Sequence, residues 1–160
     1  MQPDKLQDRI KHCLATHSKS MLRMAFAYLR NAQDAEDVTQ EVFLSYFRAA
    51  PVFNDDNHEK AWLLRSTINR CKNVLKSAQR RREIPMPEFY SGITAEESGL
   101  LHEVLALDEM YRLPIHLHYY EGYSLKDIAE ILGEKPATIG TRLSRGREQL
   151  KQALGGISNA

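Results

Sequence analysis

Apolar residues recur along most of this chain at alternating steps of three and four, the spacing that places them on one face of an α-helix. The patterns over residues 5–15 and 20–29 predict an amphipathic helix and a second helix that is apolar nearly all round. A third pattern begins at Asp34, which we expect to be the N-cap, and runs to Arg48. Its predicted buried positions are Ala35, Val38, Val42 and Tyr46. The polar loop over residues 51–59 then leads to the next helix.

The segment from Lys60 to Arg82 carries eight basic residues and no acidic one. As a helix it separates into an apolar stripe and a face of bases, amides and one aromatic ring. The apolar stripe is Ala61, Leu64, Ile68, Cys71, Leu75 and Ala78. The other face presents Trp62, Arg65, Asn69, Lys72, Asn73, Lys76 and Arg80. Such a helix would suit docking on a small core while binding a polyanion, and the alternative is a solvated basic face.

The C-terminal part of the chain predicts a helix-turn-helix. After a short helix over residues 100–107, Asp108 is the expected cap of a helix that runs to about Glu121 and contains Pro114. Residues 124–132 predict another short helix, residues 133–135 a tight turn, and Pro136 the first position of a longer helix. That last helix would bury Ile139, Leu143, Gly146, Leu150 and Leu154. Its free side would present Ala137, Thr138, Thr141, Ser144 and Arg145, flanked by Arg142 and Arg147, as in a recognition helix.

Residues 83–99 contain prolines and glycines with little periodicity, so we predict a linker there. The predicted fold is therefore all-α, with two small helical domains over residues 1–82 and 100–160 joined by a flexible linker. The second domain would hold the helix-turn-helix.

Composition narrows the class of protein. The chain has 160 residues, of which 42% are hydrophobic and 27% charged, and lacks an apolar run that could span a membrane or act as a signal peptide. We therefore expect a cytoplasmic protein with no stable membrane insertion. Cys13 and Cys71 have no partners at metal-ligand spacing and are expected in the core. No metal site and no cofactor are predicted, because the candidate ligands of the polar loop, Asp55, Asp56, His58 and Glu59, lack a fixed ligand spacing.

The net charge is only +1, but the charges are arranged in blocks. The basic helix lies between two acidic stretches, over residues 33–59 and 83–110, and a second basic helix follows near the C-terminus. Alternating blocks of this kind indicate several different partners along one chain.

Three segments, in order, resemble the bacterial sigma factors of the extracytoplasmic-function (ECF) group of the sigma-70 family. DAEDVTQEVFLSYF is similar to the helix that binds core RNA polymerase, and HEKAWLLRSTINRCKNVLKSAQRRR to the −10 recognition helix. YYEGYSLKDIAEILGEKPATIGTRLSRGREQL resembles the −35-binding helix-turn-helix. The resemblance covers about residues 20–154. It implies a sigma factor that directs promoter-specific initiation, with core polymerase and promoter DNA as partners and an anti-sigma factor as a further expected partner.

The resemblance also implies roles for individual residues. Polymerase contacts are expected from Asp37, Gln40, Glu41 and the exposed Leu44. Residues 53–59 with Asn69 and Asn73 would hold a base extruded from the −10 element, within the basic face that also includes Trp62, Arg65, Lys72, Lys76 and Arg80. The −35 duplex would face Thr138, Thr141, Arg142, Ser144, Arg145 and Arg147. The acidic linker would thread the polymerase channel.

Two positions depart from the family pattern. Gly140 stands where relatives usually carry Lys or Arg, so one expected DNA contact is absent. Leu107-Asp108 replaces the common Leu-Pro, with a proline following at Pro114. For Trp62, stacking on DNA and packing under the incoming loop both remain open.

Two other classes of protein are compatible with parts of the sequence. A free-standing helix-turn-helix transcriptional regulator would explain the recognition helix but would not explain the acid-free basic helix in the other half of the chain. A metal-dependent nuclease would have to use the loop over residues 55–59. A sigma factor would be a binding protein and not an enzyme.

Overall fold

The computed structural model describes residues 3–77 and 95–158, with side chains over residues 5–76 and 97–155. The described residues form helices and no strand, and they belong to two compact units, Met1–Pro85 and Met86–Ala160. The predicted all-α class with two helical domains is therefore confirmed. The helices are α1 (Pro3–Leu29), α2 (Ala32–Ala49), α3 (Asp56–Ser77), α4 (Ala95–Ala106), α5 (Glu109–Tyr119), α6 (Leu125–Leu132) and α7 (Pro136–Ser158).

The first helix is continuous where the sequence predicted two separate segments. Helix α1 contains no glycine or proline after its first residue to interrupt it. The polar residues between the two apolar patterns include His17, which is buried and lies 3.2 Å from the Glu59 carboxylate of α3. A polar residue in this helix therefore contributes to the packing of the unit instead of marking a break.

The cap of α2 is Asn31 and not Asp34 as predicted. The Asn31 side chain accepts a hydrogen bond from the Asp34 backbone N–H at 3.0 Å, and Asp34 lies in the first turn. An acidic side chain in the first turn still interacts favourably with the positive end of the helix dipole. The predicted buried stripe of α2, Ala35, Val38, Val42 and Tyr46, is confirmed.

Helix α3 begins at Asp56, earlier than the predicted Lys60. The reason is an N-cap: the Asp55 carboxylate accepts a hydrogen bond from the His58 backbone N–H at 2.7 Å. The helix buries Leu63, Leu64, Thr67, Ile68 and Cys71, while the predicted stripe residues Ala61 and Leu75 are half-buried. Ala78 and Arg80 lie outside the described residues.

In the second unit, α4 begins at Ala95, so the last five residues of the predicted linker are helical. Gly99 suggested irregular structure, but it lies within the helix, where one glycine costs only about 1 kcal/mol relative to alanine. The remainder of the predicted linker, before residue 95, lies outside the described residues. Helix α5 begins after Asp108 as expected, although the Asp108 side chain makes no capping bond, and the helix ends at Tyr119.

The helix-turn-helix is formed by α6 and α7 as predicted. The Ser124 hydroxyl caps α6 by accepting from the Asp127 backbone N–H at 3.2 Å. Gly133 ends α6 in the left-handed conformation, with a φ of 70°, which is the conformation a glycine adopts without a steric penalty. Pro136 is the first residue of α7, where its missing N–H has no cost.

Candidate nucleic-acid and protein interfaces

The exposed face of α2 carries the residues predicted to bind polymerase. Asp37, Gln40, Glu41 and Leu44 are all exposed, and Leu44 retains 52% of its accessible surface. Phe47, one turn further on, is 51% exposed and was missed by the sequence reasoning. Its position three residues after Leu44 could have indicated it. An apolar pair next to two acids is a surface that a protein partner could bury.

One acid on this face is already paired within the unit. The Glu41 carboxylate lies 3.2 Å from the Arg70 guanidinium of α3, which also donates to the Ser45 hydroxyl at 3.0 Å. Both side chains of the ion pair remain about half exposed, so the pair is worth at most about 1 kcal/mol. The Asp37 carboxylate accepts only a neutral amide, that of Gln33, at 3.1 Å. Both acids therefore remain accessible to a partner.

The predicted basic face of α3 lies on the side of the helix away from the core. Arg65, Asn69, Lys72, Asn73 and Lys76 are all exposed. Because the helix buries the opposite side, the two amides are surrounded by cationic side chains on one solvent-facing strip. An amide offers a donor and an acceptor together, which is what reading a base edge requires.

An aromatic cluster anchors the loop that precedes α3. The Phe53 ring stacks on Tyr46 with centroids 6.0 Å apart and meets the edges of Trp62 at 6.0 Å and His58 at 5.2 Å. Trp62 also makes an edge contact with Tyr46 at 5.9 Å and is half-buried. Trp62 therefore packs against the loop, which was one of its two predicted roles.

Beneath this loop a buried polar network joins the three helices of the first unit. The Tyr46 hydroxyl donates to the buried Glu59 carboxylate at 2.8 Å and accepts from the Arg9 guanidinium at 3.0 Å. Arg9 also donates to the Pro51 carbonyl, which ties α1 to the loop. Burial and the bond to Glu59 raise the pKa of Tyr46 to about 12, so its hydroxyl keeps its proton near neutral pH. Burial lowers the pKa of His17, although the Glu59 carboxylate opposes that shift.

The outward side of α7 holds the predicted −35 residues. Ala137, Thr141, Ser144, Arg145 and Arg147 are exposed, and Thr138 and Arg142 are partly exposed. The Thr141 hydroxyl donates to the Ala137 carbonyl at 3.1 Å. Its proton is therefore engaged within the helix, and its oxygen and methyl group remain to face a base edge.

Two of the arginines on α7 are held by neighbours that the sequence reasoning missed. The Arg142 guanidinium lies 3.4 Å from the Glu134 carboxylate, in the turn before the helix. The Arg147 Nε donates to the Tyr119 hydroxyl at 2.5 Å, and its guanidinium lies over the Tyr119 ring, 5.7 Å from the centroid. Arg145 is exposed between them.

The acidic loop residues do not converge on a common point. Asp55 caps α3, and the buried Glu59 carboxylate binds the Tyr46 hydroxyl. Over the part of the chain that the structure describes, no group of three or more possible metal ligands comes together. In the same residues, none of the helices combines the length and the apolarity that crossing a bilayer requires.

A two-unit, all-α protein that combines a basic helical face with a helix-turn-helix is a DNA-binding protein in class. Residues 14–81 match sigma-70 region 2, and residues 99–150 match sigma-70 region 4. The chain belongs to the sigma-70 family, among the ECF RNA polymerase sigma factors. The predicted membership of the sigma factors, and with it a function in transcription initiation, is thereby confirmed.

The similarity to individual relatives extends over most of the chain. The chain is 32% identical to ECF RNA polymerase sigma factor SigE of Mycolicibacterium smegmatis over 86% of its own length, and it spans 58% of that relative. It is 31% identical to the ECF RNA polymerase sigma-E factor of Escherichia coli, with 73% of this chain and 72% of the relative covered. RNA polymerase sigma factor SigV of Bacillus subtilis is 29% identical, with 89% of each chain covered.

Two solved structures share the fold. CnrH, in complex with the cytosolic domain of CnrY, aligns with a TM-score of 0.69 at 23% identity over 94% of this chain and 90% of that chain. The sigma factor RpoE of Bartonella quintana, in complex with the anti-sigma factor NepR, gives 0.69 at 22% identity over 91% and 96%. At these identities the likeness concerns the fold alone.

Proposed function

We propose that this chain uses three surfaces in promoter-specific initiation: the exposed face of α2 for core polymerase, the basic face of α3 for the −10 strand, and the outward side of α7 for the −35 duplex. The observation that carries the proposal is the geometry of α3. Its exposed strip combines Arg65, Lys72 and Lys76 with the amides of Asn69 and Asn73, opposite an apolar side whose central residues, Leu64 and Ile68, are buried.

Opening a promoter requires a site that binds a single strand better than a duplex. Basic side chains can hold the backbone, while an amide or an aromatic ring captures a base that has left the stack. The loop before α3 is held by Phe53 against Trp62 and Tyr46, so its position is fixed at the N-terminal end of the helix that carries the basic strip. The residues that we assign to the −10 strand are those of this strip, with Arg80 and the half-buried Trp62 included as proposals.

The first test concerns polymerase binding. We expect the double charge reversal of Asp37 and Glu41 to abolish co-purification with core enzyme, because both acids are exposed on one helical face. The thermal melt should change little, since the Glu41 ion pair with Arg70 is solvent-exposed and weak. Reversing the exposed acids Asp8 and Glu130 provides a control with the same change in charge. Undiminished co-purification of the α2 variant would remove this assignment.

The second test concerns the melted strand. Run-off transcription with core polymerase on a genomic fragment library identifies a cognate promoter, on which Asn69→Ala is then compared with the unmodified chain. The substitution should leave polymerase binding and −35 affinity unchanged, because the Asn69 amide carries no charge and points away from the core. Open-complex formation should fall, and the preference at a single −10 position should flatten by roughly 1–3 kcal/mol.

Normal opening with unchanged base preference would instead make Asn69 a surface amide without a role. Lys72→Ala, on the same exposed strip, serves as a comparison, since loss of a phosphate contact should weaken binding to all sequences alike.

The proposal includes an anti-sigma partner and a cytoplasmic location. The complexes of CnrH and of Bartonella RpoE concern those proteins, and their fold is the one found in this chain. Affinity purification of this chain under repressing and inducing conditions, followed by mass spectrometry, would test for such a partner. Recovery of core polymerase alone under every condition would speak against it.

A further inference from the structure

The turn of the helix-turn-helix contains an acid whose backbone position is fixed. Gly133 and Glu134 both donate their backbone N–H groups to the Ala129 carbonyl, the latter at 2.9 Å, so the end of α6 is closed. This places Glu134 beside the first turn of α7. The Glu134 carboxylate there lies 3.4 Å from a terminal nitrogen of Arg142.

Arg142 reaches Glu134 because helical side chains lean toward the N-terminus of their own helix. In a helix-turn-helix, that end of the recognition helix is the one that enters the major groove. The Arg142 side chain keeps 24% of its accessible surface and the Glu134 side chain 38%. An arginine has five N–H donors, and a single contact with Glu134 leaves others for an acceptor on DNA.

An acid at this position opposes DNA in general. A carboxylate close to the groove is repelled by the phosphates whatever the base sequence, and it also restrains Arg142 from turning to the nearest phosphate. A correctly placed base edge can still use the free side of the guanidinium. The other arginines of α7 are placed differently, since Arg147 is held by the neutral Tyr119 hydroxyl and Arg145 is exposed.

We propose that Glu134 is a specificity-determining residue: it positions Arg142 for a base contact in the −35 element and weakens binding to non-cognate DNA. This inference rests on the proposed function of α7 as the −35 reader. Glu134 acts through Arg142, so the effect of removing its charge must depend on the presence of that arginine.

The test uses holoenzyme assembled from the full chain and core polymerase. Its affinity is measured on duplex fragments that carry either the cognate −35 element or a scrambled one, over a range of salt concentrations. Glu134→Gln should raise affinity for the scrambled fragment about two- to fivefold, the size set by a partly exposed ion pair. The ratio of cognate to scrambled affinity should fall correspondingly, and the salt slope on the scrambled fragment should steepen by up to about 0.9.

Two further variants separate this effect from a simple change of charge. Glu130→Gln removes an exposed acid of α6 and should leave the affinity ratio unchanged. In an Arg142→Ala background, Glu134→Gln should no longer alter the ratio. A gain in affinity from Glu134→Gln that is equal on both fragments, or a change in the affinity ratio that persists without Arg142, would overturn the inference.

A separate outcome would contradict the proposed function of α7 itself. If the unmodified holoenzyme does not distinguish the cognate −35 element from the scrambled one, α7 does not read that element, and the role of Glu134 falls with it.

Discussion

Gly146 of α7 packs directly against side chains of α5, and replacing it with alanine should destabilise the second unit. A Cβ atom built at Gly146 would lie 3.0 Å from Ile115 Cγ1 and 3.2 Å from Ile115 Cδ1, with Tyr111 Cβ at 3.5 Å. The first distance is shorter than van der Waals contact, so an atom must move. Ile115 is completely buried, so any shift of its side chain must be accommodated within the core.

Two effects of opposite sign determine the size of the loss. Replacing a helical glycine with alanine gains about 1 kcal/mol of helix propensity. Overpacking a tight core costs typically about 1–3 kcal/mol. We therefore expect Gly146→Ala to lower the free energy of unfolding by up to about 2 kcal/mol. Ile115→Val should cost less in the Gly146→Ala background than alone, because the two side chains compete for the same space.

The same helix supplies a matched control. A Cβ at Gly155 would meet no atom within 4 Å, so Gly155→Ala should be neutral or slightly stabilising. The comparison uses urea unfolding followed by far-ultraviolet circular dichroism. The fluorescence of Trp62, which is the chain's single tryptophan, reports on the first unit. Equal stability of Gly146→Ala and Gly155→Ala would refute the packing argument.

Three further predictions concern Gly140, the Cys13 thiol and the His17 imidazole. Gly140→Lys should tighten −35 binding and steepen its salt slope by about 0.9, because the lysine adds a phosphate contact. The side chain can be accommodated, since a Cβ there would meet only the flexible end of Leu125 at 3.3 Å. Weaker binding with an unchanged salt slope would mean that the glycine is needed for close approach to DNA. Burial, with the Glu59 carboxylate second, raises the pKa of the Cys13 thiol to about 12, so native protein near pH 8 should react with a thiol reagent far more slowly at Cys13 than unfolded protein does, as mass spectrometry would show. The pKa of His17 is lowered from 6.5, so its contribution to stability is present above that pH and is lost as the pH falls through and below it. His17→Gln should therefore make the free energy of unfolding, measured in urea, depend less on pH below 6.5, and an unchanged dependence would contradict this origin.

Periodicity was a sufficient guide where one face of a helix is apolar and the other is charged. The exposed strip around Asn69 and the buried stripe of α2 followed from spacing alone, because a helix converts spacing into direction. The cap at Ser124 and the turn at Gly133 also followed, because their local chemistry determines the backbone. The exposed and buried faces of these helices could therefore be predicted from the sequence, although their roles could not be tested by it.

The errors arose where a contact between distant segments decides the outcome. No local pattern indicates that His17 contacts Glu59, so the polar stretch in the middle of α1 was interpreted as a break. Likewise Glu134 looked like an ordinary turn residue, since its ion pair with Arg142 depends on how α7 leaves the turn. The side-chain amide of Asn31 replaced Asp34 as a cap because α2 starts earlier than its apolar pattern.

The polar network beneath the loop that precedes α3 has a consequence for how the first unit can be truncated. The family match starts at residue 14, yet Arg9 lies before it and binds both the Tyr46 hydroxyl and the loop carbonyl of Pro51. A fragment that began at residue 14 would keep every recognisable motif of the unit. It would nevertheless leave the buried Tyr46–Glu59 pair without its cation and the loop without its tether to α1. The segment that matches the family is thus shorter than the segment needed to keep the loop and the buried network in place.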